Sequence, residues 1–174
     1  MFLSELEDGS SIFVDANIFI YHFSKKSRFN PDSTSFLERI EKRKISGVSS
    51  TSVVQEATHR MMIMEAATIV RDIESKDLVK YLKTHPDIVK KLVEHHSIPE
   101  KIVSFNLEIV SPDIRTIERS QQVKRRYDLL SNDALSIQIM EDLKMNNLAS
   151  NDSDFERINF IKVYKPSVST KAPG

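Results

Sequence analysis

The chain has 174 residues, 40% of them hydrophobic, with 25 Lys and Arg set against 25 Asp and Glu, 5 His and no Cys. That size suffices for one domain with a real core, and no stretch approaches the roughly 18 apolar residues of a membrane span. The charge balance excludes a polycation that holds nucleic acid by bulk charge, so any such contact must be local or bridged by metal.

Short Val- and Ile-rich runs alternate with longer helical patterns, the rhythm of βαβ units around a mainly parallel sheet. The runs place five strands near 11–15, 45–49, 107–110, 147–150 and 160–165. Between the first two, Asn17 to Phe23 reads as a short helix, SKKSRFNPDS as a polar loop, and Ser35 to Arg43 as an amphipathic helix ending in KRK. The second strand leads into one long helix, STSVVQEATHRMMIMEAATIVRDIE, whose start has capping-box spacing with Ser52 as N-cap and Gln55 three residues on. Residues 75–105 read as all-helical, broken by Pro86 and Pro99. A helix over 113–127 follows, then another from Asn132 to Lys144 with Asn132 as its cap, and a last turn at 153–158. The expected organisation is a single domain over 1–165 with a frayed tail, PSVSTKAPG, over 166–174.

One residue resists this scheme. SIFVDANIFIY reads as a buried strand running into a buried helix, yet it carries Asp15 in its middle. Burying an ionised carboxylate without a partner costs several kcal/mol at least, so a positive group or water must meet it. Other acids fall in similar places: Asp152 and Asp154 follow the fourth strand, Glu56 lies in the first turn of the helix after the second, and Asp133 lies in the first turn of NDALSIQIM. These are the carboxyl ends of strands, where open α/β sheets put their ligand sites. Five carboxylates from four segments therefore converge on one edge of the sheet. Hard oxygen donors, with no Cys and no paired-His spacing, suit Mg²⁺ or Mn²⁺ rather than zinc. Singly, each acid has a plain structural role: Asp15 as a cap, Glu56 and Asp133 in favourable contact with helix dipoles, Asp152 and Asp154 in a polar turn. The joint arrangement carries the metal reading.

The segments FVDANIFIY, SSTSVVQEATHR, LLSNDALSIQIM and NLASNDSDFERI resemble, in order and spacing over most of the chain, those of the PIN-domain nucleases, most closely the toxin members of VapBC-type toxin–antitoxin pairs. The resemblance implies a three-layer α/β/α fold with a five-stranded parallel sheet in the order 3-2-1-4-5. It also implies a metal-dependent endoribonuclease, often a homodimer, with a small antitoxin protein as partner. Carried over, the family's acidic positions fall on Asp15, Glu56, Asp133 and Asp152, with Asp154 as the frequent fifth. Asn17 matches the polar residue two after the first Asp, and Ser150 the small hydroxyl residue before the last pair. The helical stretch over 72–106 departs from the compact members and reads as a lid or partner surface.

In QQVKRRYDLL, Lys124, Arg125 and Arg126 form a local basic cluster of the kind that meets phosphate, although charge runs are more often solvated faces. Met61, Met62 and Met64 are core filler or an adaptable surface, with core expected for two of the three. The His residues lack metal-ligand spacing and are placed on helix surfaces. The absence of Cys and an acidic start without a secretory pattern point to a cytoplasmic setting. Two rival readings remain open: the same fold working in RNA maturation or surveillance, and an inactive PIN-like module that binds RNA or protein without cutting.

Overall fold

A computed structural model describes residues 1–71 and 73–168. Five parallel strands, β1 (Ser11–Val14), β2 (Ser46–Ser50), β3 (Glu108–Val110), β4 (Asn147–Ala149) and β5 (Lys162–Tyr164), form one sheet in the order β3-β2-β1-β4-β5. All pairings are parallel, with Phe13 opposite both Val48 and Leu148. The central strand is buried on both faces, as a parallel strand covered by helices must be, which is why Ile12, Phe13 and Val14 follow one another without alternation. Each strand lies within two residues of its expected position.

The chain moves outward from β1 through β2 to β3, then reverses to β4 and β5. Because parallel crossovers are right-handed, that reversal puts the helices before and after it on opposite faces. On one side lie α1 (Ala16–Phe23), α2 (Asn30–Glu41) and α3 (Thr51–Ile69), followed by the smaller α4 (Ser75–Thr84), α5 (Pro86–Val89) and α6 (Ile98–Ser104). On the other, α7 (Ile114–Tyr127) packs against α8 (Ser131–Asp142). The result is a three-layer α/β/α fold. Gly47 in β2 lets α2 and the residues before β3 close on the sheet, since a Cβ there would stand 2.6 Å from Leu107 Cδ2 and 2.8 Å from Ile40 Cγ2.

Several helix boundaries differ from expectation for local reasons. α2 begins at Asn30, not Ser35, because Pro31 serves as a first-turn proline and Asn30 Nδ2 donates to the Tyr21 and His22 carbonyls closing α1. It ends at Glu41, and Arg43 turns the chain with φ 57°. The cap of α3 is Ser50, whose Oγ accepts from the Val53 N–H, and Ser52 instead sits inside the first turn bonded to Ser50. α3 stops at Ile69, short of the expected Glu74. Asn132 does not cap α8; Leu130 occupies that position and Asn132 lies one residue into the helix.

The stretch after α3 has a core of its own. Ala66, Leu78, Leu82 and Leu92 form a second buried cluster, with Met62 and Ile63 packed on it, so the insert is seated on the distal half of α3. Met61, half-buried, packs on the main core and Met64 is exposed, so two of the three methionines pack on a core, as expected. Glu65 and His95 fasten the two parts. The Glu65 carboxylate accepts the N–H groups of Val93, Glu94 and His95, together with a 3.0 Å contact to His95 Nδ1. His95 is thus largely enclosed, not on a helix surface as expected. The expected frayed tail is held at its start, where Pro166 is buried and the Ser167 N–H donates to Asp32 Oδ2. Residues 169–174 lie outside the described residues.

Candidate active site

The reversal of strand order falls between β1 and β4, and a crevice opens there at the carboxyl ends of the strands. The ladder runs right up to it: the Asp15 N–H donates to the Ala149 carbonyl, and the Ser150 N–H to that of Tyr164. Asp15 and Ser150 are thereby fixed side by side by backbone, not by loop geometry. A cleft of about 360 Å³ lies above them, lined by Asp15, Asn17, Ile20, Tyr21, Glu56, Arg60, Asp133, Asn151, Asp152 and Ser153.

Asp15 precedes α1 in the capping position but makes no side-chain cap bond. Its Oδ2 instead accepts from Asn17 Nδ2 at 2.5 Å and from the Ser150 hydroxyl at 2.8 Å. The plain capping role therefore fails for this residue. Ser150, fully buried, also accepts from Asn17 Nδ2 and from the Asp152 N–H, so one hydroxyl links the first acid to the last. Asn151 closes the other side, its N–H bonded to Asn17 Oδ1 and its Nδ2 to the Tyr21 hydroxyl.

Glu56 stands in the second turn of α3, beyond the first turn in which it was expected, so the helix dipole explains it poorly. Asn132 Nδ2 holds its Oε2 at 3.0 Å, tying α3 to α8 across the cleft. Asp133, in the first turn of α8, points the same segment at the cleft. Asp152 does part of the structural work expected of a turn residue, its Oδ1 accepting the Asp154 N–H. Asp154 is ion-paired with Arg157 and does not line the cleft, though it is near enough for its charge to act on Asp133.

The electrostatics follow from crowding. Burial pushes the Asp15 carboxyl up to about 7, against the Ser150 hydroxyl and Ala16 N–H that favour its charge, and Glu56 and Asp133 raise it further. Burial likewise raises Asp133 to about 6, helped by the negative charges of Asp152, Glu56 and Asp154. Among the described residues no three Asp, Glu or His side chains are already drawn into a ligand cage. The donor set nonetheless fits a hard divalent cation: it is all oxygen, and burial, helped by neighbouring negative charge, raises the carboxyls of Asp15 and Asp133.

The basic cluster is not brought to the cleft. Lys124 bonds the Ser131 hydroxyl and Arg126 pairs with Glu141, both at the junction of α7 and α8, while Arg125 is exposed. Sequence reasoning missed Arg60, Asn151, Tyr21 and the role of Asn132. For Arg60 a signal was present, four residues after Glu56 and hence on the same side of α3.

A PIN domain model matches residues 12–161. Ribonuclease VapC2 of Methanocaldococcus jannaschii is 30% identical over 161 residues, covering 90% of this chain and 94% of that protein. Among solved structures, VapBC2 of Rickettsia felis, bound to a DNA fragment from its promoter, aligns with TM-score 0.56 at 14% identity over 89% of this chain and 98% of that chain. VapC20 of Mycobacterium tuberculosis, described as a sarcin-ricin loop cleaving toxin, aligns with TM-score 0.56 at 15% identity over 88% of this chain and 98% of that chain. These structures share the fold. No helix among the described residues is long and apolar enough to cross a membrane.

Proposed function

The chain belongs to the PIN-domain family, and from that premise we propose that it is an endoribonuclease dependent on Mg²⁺ or Mn²⁺, the toxin of a toxin–antitoxin pair. The observation that carries the reading is Asp15: a carboxylate held at the β1–β4 crevice by Asn17 and Ser150, beside three further acids, where burial and repulsion make a cation welcome. A ribonuclease relative and toxin neighbours of the same fold support RNA as substrate and a small antitoxin as partner. A homodimer working in the cytoplasm completes the proposal.

A phosphodiester is an anion that repels hydroxide and passes through a more highly charged transition state. Asp15, Asp133 and Asp152 would hold a divalent ion, which when bound would supply an acidified water and offset that charge. The remaining work belongs to the chain. Asn17 and Ser150 aim the Asp15 carboxylate and keep it in one rotamer. Asn132 occupies Oε2 of Glu56, leaving Oε1 to accept a proton from the attacking water. The Asp152 N–H, donating to the Ser150 hydroxyl, shapes the turn after β4 that carries Asp152. Asp154, paired with Arg157, is assigned to shaping the turn that carries Asp152. The insert after α3 is assigned to partner contact, since none of its described residues lines the cleft.

The test is direct. Purified protein freed of any inhibitor should cut single-stranded or loop RNA with Mg²⁺ or Mn²⁺ and stop with EDTA, and Asp15→Asn or Asp133→Asn should lose cleavage. Cutting that survives exhaustive chelation defeats the metal assignment, and failure to cut any RNA with either ion defeats the nuclease.

A further inference from the structure

We propose that Arg60 is a substrate-binding residue that grips the phosphate next to the one being cut, an inference that rests on the nuclease reading above. Arg60 is the only cation among the residues lining the acidic cleft. It is exposed and makes no ion pair among the described residues. Arg39, Arg119, Arg126 and Arg157 are each committed to a carboxylate, the last of them to Asp154 beside the cleft.

The natural partner for Arg60 is Glu56, four residues earlier on the same helix, where a Glu followed by a basic residue is the favourable order. Glu56 is instead held by Asn132 across the cleft, which leaves the Arg60 fork unused. A guanidinium kept free at the mouth of an anionic cleft suits an anion that arrives from outside, and its planar fork matches two oxygens of a phosphate. Four residues at 1.5 Å rise displace it roughly 6 Å along α3 from Glu56. Arg60 therefore meets a neighbouring phosphate while the carboxylates serve the one that reacts. With 25 basic and 25 acidic residues overall, the chain has no bulk attraction for RNA, so such a single contact matters.

The experiment measures binding of a 5′-labelled single-stranded RNA by fluorescence anisotropy, with Mg²⁺ present and KCl varied, using the non-cutting Asp15→Asn protein with and without Arg60→Gln or Arg60→Lys. Arg60→Gln should weaken binding about tenfold and lower the slope of log affinity against log salt by about 0.7, the value for one phosphate contact on a single strand. Arg60→Lys should keep the slope and recover part of the affinity. In otherwise wild-type protein, Arg60→Gln should raise KM with kcat nearly unchanged. An RNA with a neutral methylphosphonate on one side of the cleaved bond should weaken the wild type to the level of Arg60→Gln and leave that variant unaffected. If wild type cuts RNA but Arg60→Gln keeps the affinity and slope, or changes only the melting temperature, or is as sensitive to the methylphosphonate as wild type, the Arg60 assignment is overturned and the nuclease stands. If wild type cuts no RNA with either ion, the nuclease reading falls and takes this inference with it.

Discussion

The hydroxyl of Ser150 donates to Asp15 Oδ2 across 2.8 Å, joining two residues 135 positions apart at the ends of adjacent strands. This bond favours the charged carboxylate, and burial opposes it. Ser150→Ala should therefore raise the Asp15 carboxyl still further above its ordinary value. Protons compete with a cation for the same oxygens, so the acid limb of the cleavage pH profile should move up by about one unit. Profiles of kcat/KM against pH for the two proteins measure this. An unmoved limb would separate Ser150 from the chemistry of Asp15.

A second expectation concerns the insert. Glu65 is 8% exposed as a side chain, and burial disfavours its charge; the N–H of Glu94, the ring of His95 and the N–H groups of Val93 and His95 more than offset this and hold the carboxyl below its ordinary value. For a lowered carboxyl the contribution is present above its unfolded pKa and is lost as pH falls through the folded one. Glu65→Ala should cost about 2 kcal/mol near neutral pH, and less in acid. Hydrogen exchange should localise the loosening to residues 73–106, because that stretch has its own small core on α3. RNA cleavage should persist, since Glu65 does not line the acidic cleft. Loss of protection across the whole sheet instead would show that the insert is no separate unit.

The strands and the acidic set were legible because their signals are local. The buried central strand writes itself as the apolar run Ile12-Phe13-Val14, and Asp15 and Asp152 stand within three residues of the ends of β1 and β4. Boundaries set by competing local signals were not legible. Ser50, Thr51 and Ser52 all offer a capping oxygen, and only the path of β2 selects Ser50. Asn30-Pro31-Asp32 reads as a turn and forms instead the first turn of α2. Roles that depend on distant partners left no trace. Asn132 holds Glu56 from 76 positions away, and Glu65 meets His95 from 30 positions away. The basic run at 124–126 drew attention as a cluster, whereas Arg60 is marked in the sequence only by its four-residue spacing from Glu56, and the fold makes that side of α3 a wall of the cleft.

Gly47 carries a prediction about the scaffold. A Cβ at this position would lie 2.6 Å from Leu107 Cδ2 and within 2.9 Å of two Ile40 carbons, all in a packed interior. Both neighbours are largely or wholly buried, so neither can swing aside into solvent. Gly47→Ala should destabilise by about 1–3 kcal/mol, the range for an added methyl in a full core. Urea denaturation should show a lower midpoint at an unchanged slope. Since β2 leads directly into α3, cleavage by the folded variant should fall only if the shift reaches Glu56. A neutral or stabilising substitution would mean that α2 sits farther from the sheet than described.

The last prediction separates site from scaffold. Asp15 and Asp133 have carboxyls raised to about 7 and about 6, each by burial first and then by their acidic neighbours. A raised carboxyl binds its proton more tightly folded than unfolded, so its favourable contribution is complete below the unfolded pKa and is lost as pH climbs through the folded one. Protein in EDTA should therefore lose stability between about pH 4 and pH 7, by at most about 1.4 kcal/mol per unit for each such group. The two groups interact, and their protons leave as a coupled set. Asp15→Asn removes one of these charges, so at pH 8 in EDTA it should melt at or above the wild-type temperature and show a flatter dependence on pH, while cleaving no RNA. Mg²⁺ at about a hundred times its dissociation constant should stabilise the wild type by about 2.7 kcal/mol, which for a chain of this size is a rise of about 5–10 °C. The variant, short of one ligand, should gain far less. Melting curves at several pH values, with Mg²⁺ or with EDTA, measure all three quantities on the same samples. An Asp15→Asn protein that keeps the full Mg²⁺ rise, or melts well below wild type in EDTA at pH 8, would make Asp15 a structural residue held by Asn17 and Ser150 for the fold alone.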